Sequence, residues 1–565
     1  MKKIIDVLNQ DFVEIVIQKW HEVPSLYKKA FLVIFTGLNI VFAFHTINFM
    51  LGNHDWNFAI YGIRFNDLFS VGRYFLSSTT LLFLHGEILP IFSNVIGFME
   101  YSLAAVLLCF YWKLPKSLLL YSITGLLLVI QPYTITWLYF SYQTISNYGI
   151  ILFSVIACIV GERASEFQYA RGKRILYVII SLFLFVFCIG TYGPALNTIA
   201  VVFLGRIFID FLNSDISKKN VVNVGLKHIY TWLTAVGACV IHYIIVSVFK
   251  AKGMLVNVYT TETLHLNEIP ARFIDIVEIA FKKLLFYPVT FFSSSFTYIF
   301  TVLLCIMLLS VVFQIIYSNT EKRKKVIKIL VLIAILILTL ISTMAASFIS
   351  RLTNFYVPRV DMYGFGIFHI LAVVVLFSAR VNILKSICML GCVILLQISI
   401  IQNATAQKVW KFGFEAEKMM WNRLLTRIET TPGFIVGQKY KLLLIGALKS
   451  LRGNYLPDRN KLNCNCEMLA DCYDPGWSPF TVVEFYSYSF IDGEFRRVFN
   501  SFRDADEQSK NMMFAMLPEI ERAKVWPDKS SVIIKGDILL VVMDQLYLDK
   551  LREFIKENQK STAVK

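Results

Sequence analysis

The chain has 565 residues, 56% of them hydrophobic, with a mean hydropathy of +0.61 and a net charge of +16. That composition excludes an ordinary soluble protein, because run after run reaches the roughly 20 apolar residues needed to cross a bilayer. It also argues against nucleic-acid binding. The positive charge sits at the ends of apolar runs, and the tail from Asn403 is close to charge-balanced, so no basic patch marks a soluble face.

In chain order, residues 1–28 come first. Ile4, Ile5, Leu8, Phe12, Ile15, Val16 and Trp20 recur at helical spacing and predict an amphipathic helix lying in the cytoplasmic membrane interface. The first apolar run is long and begins late, so no cleavable signal peptide is expected. That run, Phe31 to Leu51, opens a membrane domain expected over residues 29–402. Further spans centre near Leu103, Leu126, Val155, Phe183, Val202, Ile241, Leu304, Ile335, Val373 and Val393, giving about eleven transmembrane helices.

Lys and Arg crowd alternate loops: Lys28-Lys29, Lys113 and Lys116, Arg163 with Arg171 to Arg174, Lys218-Lys219, Lys322 to Lys325, and Arg380 with Lys385. Positive charge is retained in the cytoplasm, so the N-terminus is expected inside. An odd number of spans then puts the C-terminal region outside.

On the outer side, the loop after the first span carries Asn53, His54, Asp55, Trp56 and Asn57, then Arg64, Asn66, Asp67, Gly72, Arg73 and Tyr74. Farther along are Glu87 and a late outer loop with Arg351, Arg359 and Asp361. Transfer of a sugar from a lipid phosphate asks for this set. The phosphate leaving group is a stable anion that needs no strong acid, whereas the attacking hydroxyl needs a base, and one carboxylate suffices. Asp55 is the first candidate base, about one helical turn beyond the span, with Asp67 second and Glu87 third. Arg73, Arg351 and Arg359 are the candidate phosphate ligands, since guanidinium is permanently charged and planar. Each has a plainer reading: the carboxylates as loop solvation, the arginines as snorkelling or paired to Asp361 or Asp67.

Tyr133, Trp137, Tyr139, Tyr142 and Tyr148 crowd another outer boundary, where an anchoring aromatic belt is expected, with sugar stacking as the alternative. Between Lys250 and Ser293, the stretch Phe273 to Phe286 predicts a helix on the outer surface, either an acceptor-covering lid or a packing element.

Residues 403–565 are expected to form an extracytoplasmic α/β domain: a helix through Trp410, Phe414, Trp421 and Ile428, strands at Tyr440 to Ile445 and Ile538 to Met543, and a closing helix over Lys550 to Asn558. Cys464, Cys466 and Cys472 lie there. A disulfide involving Cys472 is favoured over zinc, because this region contains no histidine to complete a ligand set. No metal site or cofactor is expected; a divalent ion remains compatible with the chemistry but is not indicated.

The first outer loop, NHDW…FNDLFSVGRYF with its Gly72-Arg73-Tyr74 element, resembles the bacterial serotype-converting O-antigen glucosyltransferases of the type II-like Gtr family. The resemblance implies a GT-C-type membrane glycosyltransferase of the bacterial inner membrane. It would move glucose from undecaprenyl phosphate to a lipid-linked O-antigen or related surface glycan, with inversion, beside a flippase and a lipid-sugar synthase. His54 stands where the resemblance leads one to expect a second acid. His54, Tyr74, Asp361 and Trp477 are the expected substrate contacts, Trp477 lying with Cys472 in a region similar to a family Cys/Trp element. Two other functions compete: a lipid or glycan transporter, which would place charges or broken helices at mid-span, and an O-antigen polymerase or ligase, which would carry a large central outer loop.

Overall fold

A computed structural model describes residues 12–48, 50–52, 55, 58, 62–166, 168–214, 218–256, 266–286, 294–318, 321–348, 360, 362–446, 491–499 and 507–563. After a short helix α1 (Phe12–Glu22), the chain turns at Pro24 into α2 (Ser25–Ile47), the first membrane-spanning candidate. Ile17 and Trp20 on α1 are about half exposed, and Lys28 lies 5.1 Å from the Trp20 ring centre. Exposed apolar side chains beside a cation fit a helix at a membrane surface.

Two short helices follow, α3 (Phe65–Phe69) and α4 (Tyr74–Leu84). Then come α5 (Pro90–Tyr111), α6 (Leu118–Val129), α7 (Thr134–Leu138), α8 (Thr144–Arg163), α9 (Arg171–Thr191), α10 (Ala195–Asn213) and α11 (Lys218–Ala251). The membrane part ends with α12 (Ile269–Phe286), α13 (Ser294–Ile316), α14 (Lys322–Ser342), α15 (Phe365–Phe377) and the long α16 (Asn382–Glu429). Among the described residues, nine helices are long and apolar enough to cross a membrane. Nine of the eleven expected spans coincide with them. The other two, at Leu126 and Val373, fall on α6 and α15, apolar but only 12 and 13 residues long.

The centre of the bundle is α8, packed against α5, α9, α10 and α11. Close approach of α5 depends on Gly97: a Cβ there would fall 2.7 Å from the Tyr148 ring. One helix carries an acidic residue at mid-span. Glu100 lies midway along α5, facing Gly149 of α8, and its Oε2 has no hydrogen-bond partner among the described residues.

A second feature unread in the sequence lies at the basic ends of the helices. Arg206 of α10 donates to both carboxylate oxygens of Glu162 (2.8 and 3.1 Å) and lies 3.5 Å from Asp210. Lys227 reaches Glu162 and Asp210 at 2.7 and 2.6 Å, Lys113 reaches Asp210 at 2.8 Å, and His228 Nε2 shares a hydrogen bond with it at 3.0 Å. These charges tie α5's exit, α8, α10 and α11 into one network around the buried Arg206 and Asp210.

Beyond the membrane, α16 continues unbroken for 48 residues, so the expected boundary at 402/403 falls inside a helix. It ends at Glu429, before Pro432-Gly433, as its periodicity predicts. A four-stranded sheet follows, in the order β2 (Ile491–Phe499), β1 (Tyr440–Ile445), β4 (Ile538–Val542), β3 (Val532–Lys535); β1 is parallel to both neighbours and β3 is antiparallel to β4. The strand alternation sorts its two faces. Leu442, Leu444, Leu539 and Val541 join the main core with Trp421, Leu424 and Ile428 of α16. Leu443, Ile445, Leu540 and Val542 pack instead with residues of α17 (Glu507–Ala515), α18 (Leu517–Arg522) and α19 (Gln545–Ala563).

Candidate active site

The site is organised by the segment between α6 and α8. It folds back as α7 and a 3-10 turn, Ser141–Gln143, and every residue from 127 to 152 is buried. Two side chains from other helices, Tyr101 and Asn403, fasten it. Tyr101 donates to the Leu128 carbonyl (2.8 Å) and accepts from Gln131 (2.7 Å), while Asn403 of α16 donates to the Ile130 carbonyl (2.7 Å). The aromatic side chains read as an interfacial belt are therefore core: Tyr133, Trp137, Tyr139 and Tyr148 are 0–1% exposed. Their periodicity could not show this, because Tyr101, Tyr192, Tyr363 and Trp410, which pack on them, come from distant parts of the chain.

Asp55 docks onto this segment. It is 0% exposed, and its Oδ2 accepts from the backbone N–H of Gly52 (3.0 Å) and of Ser141 (3.2 Å). Burial pushes its carboxyl up to about 6, against the opposing pull of the Gly52, Ser141 and Tyr142 N–H groups and the Ser141 hydroxyl. Its Oδ1 has no hydrogen-bond partner among the described residues. Gly52 is required at the seat. Its own Cβ would fall 1.7 Å from the Tyr139 carbonyl oxygen, a contact no side chain permits. Tyr139 is braced in turn on Trp410 of α16 (ring centres 5.0 Å), which also stacks on His45 at the end of α2 (4.6 Å).

One turn before Ser141, Trp137 meets Tyr192 and Tyr363 edge to face at 5.4 and 5.3 Å, and those two tyrosines lie 5.7 Å apart. The Arg73 guanidinium sits over the Tyr192 ring at 4.9 Å. The carboxylate of Asp55 and the cation of Arg73 are thus both mounted on residues 134–143, one directly and one through Tyr192. Tyr363 ties this layer to the first turns of α8 and α10: its hydroxyl donates to the Asn147 carbonyl (3.2 Å) and its carbonyl accepts from Thr198 (2.6 Å). Asn147 and Asn197 are both 0% exposed; Asn197 Oδ1 accepts from the Ala346 N–H (2.8 Å). Nothing in the sequence singled out Trp137, Tyr192, Tyr363 or Ser141 as a group, since they are joined only in space.

The remaining candidates separate. Asp67 is exposed, and its Oδ2 accepts from the Arg64 N–H (2.8 Å), so it caps the start of α3. Glu87 is exposed in the turn that closes α4. Tyr74 is buried as a packing residue, sharing a 3.0 Å hydrogen bond with His242 of α11 and ring contacts with Phe75 and Phe249. His54, Arg351, Arg359, Asp361 and Trp477 lie outside the described residues, as do Cys464, Cys466 and Cys472. Among the described residues no three His, Cys, Asp or Glu side chains gather to hold a metal ion.

Residues 44–374 match the family described as glucosyl transferase GtrII. The chain belongs to that family. The matched region holds Gly52, Asp55, Arg73, Trp137, Ser141, Tyr192 and Tyr363, and excludes Asn403 and Trp410 of α16 and the C-terminal sheet. No significant match is found among curated proteins. Among solved structures, the chain is similar to the oligosaccharyltransferase of Archaeoglobus fulgidus, crystallised with a disulfide-tethered acceptor peptide containing the NVT sequon. The identity is 11% and the TM-score 0.36 over 82% of this chain, which spans 63% of that protein's length.

Proposed function

We propose that this protein is an inverting, polyprenyl-phosphate-dependent glucosyltransferase. It would move glucose from undecaprenyl phosphate to a lipid-linked O-antigen or other surface polysaccharide, on the outer face of the bacterial inner membrane. A synthase would supply the lipid-linked sugar and a flippase would deliver it. In this reading the N-terminus is cytoplasmic and the sheet domain extracytoplasmic, where it selects the acceptor.

The observation that carries the proposal is the state of Asp55: a wholly buried carboxylate with one oxygen held by neutral N–H groups and the other unpartnered among the described residues. A carboxyl raised to about 6 is ionised at neutral pH yet basic enough to take a proton from a hydroxyl in the transition state. In the proposed step the acceptor O–H gives its proton to Asp55 Oδ1 as its oxygen bonds to the anomeric carbon. The bond from that carbon to the phosphate oxygen breaks, and the electron pair leaves with polyprenyl phosphate. Attack opposite the leaving group inverts the centre through an oxocarbenium-like transition state. Arg73, over the Tyr192 ring, would meet the phosphate, with Arg351 and Arg359 as further ligands.

The test is transfer of labelled glucose from undecaprenyl phosphate-glucose to lipid-linked glycans by the purified protein in lipid, wild type beside Asp55→Asn. Transfer by the wild type, lost in a folded Asp55→Asn, supports both the class and the base. Transfer that survives moves the base to Asp67 or Glu87. Glu100 at mid-span favours a second reading, a lipid or glycan transporter. Glycan crossing the bilayer with no transfer to any acceptor would establish that reading instead.

A further inference from the structure

Between α10, α12, α13, α14 and α15 lies a cavity of about 270 Å³, whose walls expose almost no polar atom. Phe208, Phe281, Leu304, Leu336 and Phe368 are among the side chains lining it. Along α14 the lining runs from Ile329 to Leu340, a rise of about 16 Å at 1.5 Å per residue. The cavity is therefore long and narrow, and parallel to the spans.

One end lies within about two helical turns of the candidate active site. Leu340 stands three residues before Thr343, whose carbonyl packs against Gly364, and Phe368 stands five residues after Tyr363. Beyond that end, the 3-10 turn Ala345–Phe348 packs on α10 and α12 and is held by Asn197 through the Ala346 N–H. A hydrocarbon chain filling the cavity thus has its polar end in the layer of Tyr363, Tyr192 and Arg73. The helix α12, read from the sequence as a lid or a packing element, supplies Phe281 to the wall.

We infer that this cavity holds the first part of the donor's polyisoprenoid chain, with α12 as its side wall. The inference rests on the polyprenyl-phosphate donor proposed above. Its function is to hang the donor from its tail, so that the phosphate stops beneath Arg73 and the sugar faces Asp55. Affinity for the donor would then depend on chain length until the cavity is full, and on the bore of the cavity at Leu336, half-way along it.

Two measurements test this. In the first, donors with the same sugar phosphate on a short or a long isoprenoid are compared in the wild type and in Leu336→Trp, which fills the bore. The expected result is a KM for the long donor raised tenfold or more by the substitution, with kcat/KM for the short donor unchanged. An unchanged KM for the long donor, or equal losses on both donors, overturns the inference. The second needs neither activity nor a variant. A photoreactive long-chain isoprenyl phosphate is crosslinked to the wild type in phosphatidylglycerol vesicles and the labelled peptides are mapped. Labelling of α12 and α14 that undecaprenyl phosphate suppresses and excess phosphatidylglycerol does not is expected. Labelling elsewhere, or equal suppression by both lipids, overturns it. If the wild type transfers no sugar, the glucosyltransferase reading fails while the crosslinking result still stands on its own.

Discussion

The two ends of the helix bundle handle buried charge in opposite ways. At the basic end, Arg206, Glu162, Asp210, Lys113 and Lys227 are each matched by an opposite charge within 2.6–3.5 Å. At the other end, Asp55 has no cation among its partners; neutral N–H groups hold one oxygen, and burial leaves the carboxyl short of solvation. A network of satisfied charges resists change and is suited to clamping helices. A lone desolvated carboxylate relaxes on gaining a proton, which suits a base. The difference lies in the partners, since Arg206 and Asp210 are buried as Asp55 is.

The largest expected effect breaks the clamp. Arg206→Met leaves Glu162 and Asp210 with less compensation, and the loss of one member of a buried ion pair typically costs about 3–5 kcal/mol. Thermal unfolding in detergent should show that loss, with transfer per folded molecule little changed. Asp55→Asn should behave oppositely. A carboxyl whose value rises on folding is better bound to its proton in the native state, so it costs stability above about pH 6 and nothing once both states are protonated. The variant is therefore expected to unfold at a higher temperature than wild type at pH 8, by as much as about 3 kcal/mol, with the gap closing near pH 4. A variant less stable at pH 8 would break the comparison.

Next in size is the seat itself. Gly52→Ala cannot keep its contact with the Tyr139 carbonyl, so Asp55 must move; transfer should fall more than tenfold, with a smaller change in the unfolding midpoint. The pH dependence is milder. Because the base must be ionised, kcat/KM should be flat above about pH 6 and fall tenfold per unit below it; a profile level down to pH 4.5 would exclude Asp55 as the titrating group. Smallest is Asp67→Ala, which removes a helix cap worth about 1 kcal/mol and should leave the transfer rate where it was.

How much of this could be read beforehand depended on whether the signal was local. The spans and β1 were legible because each is a contiguous apolar run, and the end of α16 because Pro432-Gly433 cannot continue a helix. Asp55 stood out by its place just past the first span. Its cradle did not, since Ser141 lies 86 residues away and contributes a backbone N–H that any residue would carry. Trp137 and Tyr139 were read as anchors because an aromatic at a span end looks the same whether lipid or protein covers it. The basic-end network escaped for a related reason: Glu162, Arg206 and Asp210 each read as an ordinary charge near a span end until four elements converge.

The unbroken length of α16 has a mechanical meaning. At 1.5 Å per residue its 48 residues make a rod of about 72 Å, more than twice the roughly 30 Å of a bilayer's hydrocarbon core. The sheet packs against one stretch of that rod, and Trp410, part-way along it, presses on His45 and Tyr139 behind the Asp55 seat. With no hinge between them, any tilt of the sheet domain is delivered to the pocket of the carboxylate as leverage. The sheet domain and the seat of Asp55 are thus two ends of one beam.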